Sequence, residues 1–256
     1  MKRSHERHAL ILSMVEAQDY VTIEAMAAAC ETSSQTIRRD LTFLSDANKI
    51  LRYHGGARRI GGERAPSYEA RSSTHVAEKT AAAALITDLI PDDASIFLAG
   101  GSTLEYVARA LLKRNRLTVV TNNLQAAMVF NEREDFRVHL VGGWMRATSG
   151  SLIGTSTSEA ISGFSLNYAI VSARGITTDG WLLEYDQDLV GPVAAMLSNA
   201  KTSILVADSS KFGSAGIVRT AHLKQIDHFL TERPLKGELA DLLRENQVVM
   251  HAPKVR

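Results

Sequence analysis

The run SSQTIRRDLTFLS, residues 33–45, holds side chains whose spacing suggests a chemistry. Ile37, Leu41 and Leu44 fall at i, i+4 and i+7, the stripe that an amphipathic helix buries. Gln35, Thr36, Arg38, Arg39 and Thr42 are left on the outward arc. Such side chains read base edges: arginine pairs with guanine, glutamine with adenine, and threonine with a polar edge or a thymine methyl. A second set stands at the ends of short apolar runs. Gly100, Gly101, Ser102 and Thr103 follow SIFLA, Asn122 follows LTVVT, Arg146 follows RVHLVGG, and Asp208 and Lys211 follow SILVA. Two glycines and two hydroxyls before a helix make an anion cradle. Lys211 adds a point charge for a phosphate, and Asn122 and Asp208 offer partners for sugar hydroxyls.

The elements around the first set form a helix-turn-helix. Glu6–Ala17 places Leu10, Ile11, Met14 and Val15 on one face, and a second helix over Ile23–Ala29 follows Thr22 as its cap. After a short turn at Glu31-Thr32, Ser33 or Ser34 caps the third helix, the one that would enter a major groove. Ile50–Tyr53 alternates like a strand, and His54–Arg59 reads as a glycine turn with basic flanks, a wing. The DNA-contact candidates are Ser33, Ser34, Gln35, Thr36, Arg38, Arg39, Arg52, His54, Gly55 and Gly56. The second set requires strands whose carboxyl ends share one edge. From Glu78 onward, helical segments alternate with apolar runs at 95–99, 117–121, 137–141, 168–172, 203–207 and 229–231. That alternation predicts an α/β domain around a largely parallel sheet, with ligands beyond the strand ends.

Composition sets bounds. The chain has 256 residues, 45% hydrophobic and 22% charged, with a formal net charge of +1. Basic residues are in slight excess before residue 62 and acidic ones after it, as suits a DNA-binding head on a sensor. No apolar run approaches the ~20 residues of a membrane span. The N-terminus is too interleaved with charge for a secretory leader. One cysteine, Cys30, leaves no intrachain disulfide, so a reducing cytoplasm is expected. The eight histidines show no metal-ligand spacing, and no metal or cofactor is expected.

SSQTIRRDL followed by ILRYHGGA resembles the winged helix-turn-helix of the DeoR family of bacterial repressors over about residues 5–60. TNNLQAA, EDFRVHLVGG, DGWLLEYD and ADSSKFG resemble that family's sensor domain over residues 78–232, whose sheet is similar to ribose-5-phosphate isomerase. The resemblance implies a recognition helix at Ser33–Ser45 and a wing at His54–Ala57. It implies an effector's phosphate on Gly101, Ser102, Thr103 and Lys211. Gly100, Asn122, Arg146, Arg174, Glu184 and Asp208 complete the candidate site as residues of this sequence. Three positions depart from the family pattern: Ala99 lacks its polar side chain, Arg174 adds a cation, and Gly191-Pro192 replaces an arginine. The expected organisation is a DNA-binding domain over 1–60, a linker over 61–77 and a sensor domain over 78–256.

The function expected is a repressor bound to double-stranded operator DNA as a homo-oligomer and controlled by a phosphorylated polyol or sugar such as glycerol 3-phosphate. The alternative is an isomerase-like enzyme acting on sugar phosphates, with Glu184, Asp186 or Asp208 as base. It leaves the first sixty residues without a use. A third reading, a nucleic-acid scaffold without a ligand, is disfavoured by the Gly-Gly-Ser-Thr loop and Lys211.

Overall fold

A computed structural model describes residues 4–18, 20–47, 49–53, 56–59, 68–146, 149–214, 216 and 218–253. The chain divides into two compact units, residues 1–66 and 67–256.

The first unit runs α1 (Ser4–Gln18), β1 (Tyr20–Thr22), α2 (Ile23–Ala29), α3 (Ser34–Asp46), β2 (Ile50–Tyr53) and β3 (Gly56–Arg59). Thr22 caps α2 by accepting from the Ala25 amide, and Ser33 caps α3 by accepting from the Thr36 amide. Ser34 is therefore the first helical residue and not the cap. Between the helices Glu31 takes φ 52°, the left-handed turn that ends α2. Ile37, Leu41 and Leu44 are buried with Ile11, Val15, Met26 and Ile50 in one small core. The wing differs from its expected form. Gly56–Arg59 is not a turn but a strand, antiparallel to β2 on one side and to β1 on the other. A glycine and an arginine pair hide this strand, in which Ala57 is buried. His54 and Gly55 lie outside the described residues.

The second unit begins with α4 (Tyr68–Ser73), α5 (Val76–Ala84) and α6 (Ile86–Leu89). It continues with β4 (Ser95–Leu98), α7 (Ser102–Leu111), β5 (Thr118–Thr121), α8 (Leu124–Phe130) and β6 (Arg137–Leu140). Next come β7 (Trp144–Arg146), β8 (Ser151–Ile153), α9 (Thr155–Ser162), β9 (Leu166–Val171), β10 (Gly175–Ile176) and β11 (Trp181–Glu184). The chain ends with α10 (Val190–Ser198), β12 (Ala200–Val206), β13 (Val218–His222), β14 (His228–Leu230), α11 (Glu238–Glu245) and β15 (Val249–His251). Seven strands form one parallel sheet in the order β15-β14-β12-β9-β4-β5-β6. In its middle, Ile96, Phe97 and Leu98 of β4 are all fully buried, the continuous apolar run expected of a parallel strand covered on both faces. At the edge, β6 exposes all four of its residues.

Being parallel, the strands bring the ends of β12, β9, β4, β5 and β6 to one edge of the sheet. Over that edge lie two antiparallel additions that the alternating pattern does not announce: the hairpin β7-β8 and the small sheet β10-β11-β13. Residues 68–73, within the stretch read as linker, are α4. It is tied to α7 by the Tyr68 hydroxyl, which donates to Glu105, and by the Tyr106 hydroxyl, which donates to the Ser72 carbonyl at 2.8 Å. Among the described residues no helix is long and apolar enough to cross a membrane.

Candidate functional site

On α3 the buried stripe fixes what faces outward. Gln35, Arg38, Arg39 and Thr42 are exposed, and Thr36 is half-buried. The two hydroxyls are turned to the helix itself: Thr36 Oγ1 lies 3.0 Å from Ser33 Oγ, and Thr42 Oγ1 donates to the Arg38 carbonyl at 2.9 Å. Gln35, Arg38 and Arg39 are thus long polar side chains that the helix turns outward. Arg52 lies in β2, and Gly56 opens β3 opposite Tyr53.

One residue of this helix was not singled out from the sequence. Asp40 is buried and accepts two hydrogen bonds from Arg7 of α1, from Nε at 2.5 Å and from Nη2 at 2.9 Å. His8 Nε2 lies 2.9 Å from the same carboxylate, and its ring stacks on Phe43. Burial alone would raise the Asp40 pKa, but the hydrogen bonds from Arg7 and His8 outweigh it and hold the carboxyl below its usual range. This ion pair positions α3 against α1.

In the second unit the strand ends assemble a cluster of charges. Gly101, with φ 131°, starts α7 without a side-chain cap, and a Cβ there would meet nothing within 4 Å. Ser102 and Thr103 are buried. Asn123 pins the loop, its amide donating to the carbonyls of Ala99 at 3.4 Å and Gly101 at 3.3 Å. Asn122 donates to the Leu152 carbonyl at 2.9 Å, which holds β8 beside β5. Gly100 lies so close to Ser151 that a Cβ would stand 2.0 Å from its hydroxyl. Asn122 Oδ1, Ser151 Oγ and Asp208 Oδ2 are buried with no hydrogen-bond partner among the described residues. Buried acceptors left open in this way are expected where a hydroxylated ligand docks.

The charges gather around these groups. Lys211 Nζ is 3.9 Å from Asp208 Oδ2. Burial raises the carboxyl of Asp208, but Lys211 and Ser210 outweigh it and keep the group below its usual range. Burial lowers the Lys211 ammonium against the pull of Asp208. Burial also raises the carboxyl of Glu184, in spite of Arg71 and Arg174 close by. Arg174 packs over the Tyr185 ring at 5.0 Å and donates to its hydroxyl at 3.2 Å. Arg146, across the hairpin from Ser151, pairs at 2.9 Å with Asp186, one of the carboxylates named as a candidate base.

Two cations were missed. Lys79 of α5 stands 3.4 Å from Ser102 Oγ, and burial together with Lys211 pushes its pKa down to about 8. Arg71 of α4 lies within electrostatic reach of Glu184, Arg174 and Arg146. Arg71, Lys79, Arg174 and Lys211 thus lie within electrostatic reach of one another and of the carboxylates Glu184 and Asp208, and Lys79 is the one placed against Ser102 at the start of α7.

The comparisons with known proteins cover both units. Residues 7–62 match the DeoR-like helix-turn-helix domain, and residues 74–233 match the DeoR C terminal sensor domain. The chain is 36% identical over 243 residues to the glycerol-3-phosphate regulon repressor of Escherichia coli (strain K12), covering 95% of this chain and 96% of that one. It is likewise 36% identical to the repressor of that name from Haemophilus influenzae, over 98% of each chain. The HTH-type transcriptional repressor CsqR of Escherichia coli is 32% identical over 97% of this chain and 95% of its own. Among solved structures, ribose 5-phosphate isomerase A from Neisseria gonorrhoeae covers 53% of this chain and 53% of its own, at 17% identity and a TM-score of 0.39. A likeness that loose carries no argument about chemistry. With both of its units matched and relatives aligned along nearly its whole length, the chain belongs to the DeoR family of DNA-binding transcriptional regulators.

Proposed function

We propose that the protein represses transcription from an operator read by α3, and that a phosphorylated polyol or sugar at the α7 N-terminus weakens that hold. The observation that carries the reading is buried Lys79 beside the uncapped N-terminus of α7, with Lys211 within its electrostatic reach and open acceptors on Asn122, Ser151 and Asp208. The amides of Gly101–Thr103 with Lys79 and Lys211 suit a phosphate, and the open acceptors suit hydroxyls. Glycerol 3-phosphate is the first ligand to test, given the names of the relatives. The protein would act in the cytoplasm as a homo-oligomer, because a helix-turn-helix reads paired half-sites in two-fold register.

The isomerase-like alternative finds less support. Asp186 is held by Arg146, and Asp208 faces Lys211. Turnover of ribose 5-phosphate, lost on Glu184→Gln, would establish it in place of the regulator reading.

The decisive experiment is thermal unfolding with phosphorylated polyols and sugars, each beside its unphosphorylated parent. A true effector at 100 times its dissociation constant stabilises the folded chain by about 2.7 kcal/mol. Stabilisation by parents and phosphates alike would reject the phosphate site.

A pH dependence follows from Lys79. A phosphate dianion favours its ammonium form, so binding is full below the lysine's own pKa of about 8 and weakens as pH rises through it. On the acid side affinity falls as the phosphate monoester takes up a proton, near its second pKa of about 6. Binding measured from pH 5 to 9.5 is expected to peak between these limits, and Lys79→Met to flatten the alkaline limb.

A further inference from the structure

Two groups that would grip the ligand's phosphate are engaged elsewhere in the structure. Lys79 Nζ donates to the backbone carbonyl of Arg71 in α4, and Ser102 Oγ donates to that same carbonyl at 3.5 Å. A carbonyl oxygen, partially negative, thus occupies the place beside the α7 N-terminus that an anion would take. We propose that α4 carries occupancy of the site toward the DNA-binding unit: the ligand's phosphate takes Lys79 and Ser102 from the Arg71 carbonyl and so frees α4. This rests on the reading of the site as a phosphate site.

The exchange is favoured by charge. For the Ser102 hydroxyl a hydrogen bond to a dianion is about twice as strong as one to a neutral carbonyl, and for the Lys79 ammonium the exchange replaces a carbonyl dipole by a full opposite charge. The α4 anchorage also includes the Tyr68 hydroxyl on Glu105 and the Tyr106 hydroxyl on the Ser72 carbonyl. A helix of six residues has no stability of its own and persists by docking. It starts at Tyr68, two residues after the first unit ends at Pro66. A change in how firmly α4 is docked therefore changes the tether of the DNA-binding unit. By linkage, whatever loosens α4 must also tighten ligand binding by the same factor.

The test uses the full chain, with glycerol 3-phosphate and inorganic phosphate as probes and glycerol as the control. Thermal unfolding reports whether a probe binds, and amide hydrogen exchange of the segment 68–79 reports the state of α4. A bound probe is expected to speed exchange in 68–79 by roughly 5- to 150-fold, the ordinary range of allosteric coupling, while residues 124–130 of α8 stay unchanged. Tyr68→Phe removes an anchor without touching the phosphate's partners. It is expected to raise exchange in 68–79 without ligand and to tighten probe binding. Stabilisation by a phosphate probe with exchange in 68–79 unchanged or slowed overturns the role of α4 and leaves the phosphate site standing. If neither phosphate probe stabilises the chain, the phosphate reading falls and this proposal falls with it.

Discussion

Replacing Arg38 and Arg39 together by alanine is expected to remove specific operator binding while leaving both units folded. Each arginine that pairs with a guanine contributes about 1–3 kcal/mol of discrimination. Losing two such contacts therefore weakens specific binding roughly 30- to 10⁴-fold by the same estimate. Both side chains are exposed on α3, and substitutions at such positions change stability by no more than about 0.5 kcal/mol. Unfolding midpoints should stay within that range. The single variants separate two roles. A base reader, once lost, relaxes specificity at one base pair. A phosphate contact, once lost, weakens all duplexes alike and lowers the salt slope by about one. The measurement is a titration of a duplex selected from random sequence by the wild-type chain, against a scrambled duplex, at two salt concentrations. If the double variant still prefers the selected duplex, α3 is not the reading helix.

How much of this was legible depended on whether a residue's role was set locally. The stripe Ile37-Leu41-Leu44 and the serine before it fixed α3 to within a residue, since period and capping are properties of adjacent chain. The apolar runs of β4, β5, β9 and β12 likewise announced a parallel sheet, and parallel strands leave no choice about where their ends meet. The hairpin β7-β8 and the strands β1, β3, β10, β11 and β13 went unseen. Each is two to five residues long and owes its form to partners distant in sequence.

Lys79 and Asp40 were missed for one shared reason. Lys79, Ala82, Ala83 and Ile86 stand at i, i+3, i+4 and i+7 and are all buried. Ile37, Asp40, Leu41 and Leu44 repeat the pattern. A charged residue on an apolar stripe must find a partner indoors, and that signal was present in both places. What the sequence withheld was the partner: Ser102 and Arg71 for one, Arg7 and His8 for the other. Arg71 gave no signal, because its segment has the composition of a linker and is a helix only through its docking on α7.

Asp40→Ala should therefore abolish DNA binding by a different route from the arginine variants, through loss of the fold of the first unit. Removing one partner of a buried ion pair costs about 3–5 kcal/mol, because the other charge stays in the interior. Arg7 is 7% exposed and would face that penalty without its carboxylate. A unit of about sixty residues stands at the low end of the 5–15 kcal/mol range of domain stabilities, so the loss takes most of what it has. Ligand-induced stabilisation of the second unit is expected to survive, which the double arginine variant cannot distinguish but circular dichroism of the α1–α3 helices can. Acid should act in the same direction. The lowered Asp40 pKa means that the pair's contribution is complete above the unfolded carboxyl value of about 3.9 and disappears as pH falls through the lower folded value. The double substitution Arg7→Met with Asp40→Leu separates fold from contact. A buried pair exchanged for apolar residues of similar volume is commonly neutral or stabilising. If that variant regains both fold and operator binding, Asp40 serves to hold α3 against α1. If it folds and still fails to bind, the Arg7–Asp40–His8 cluster contributes to DNA contact directly.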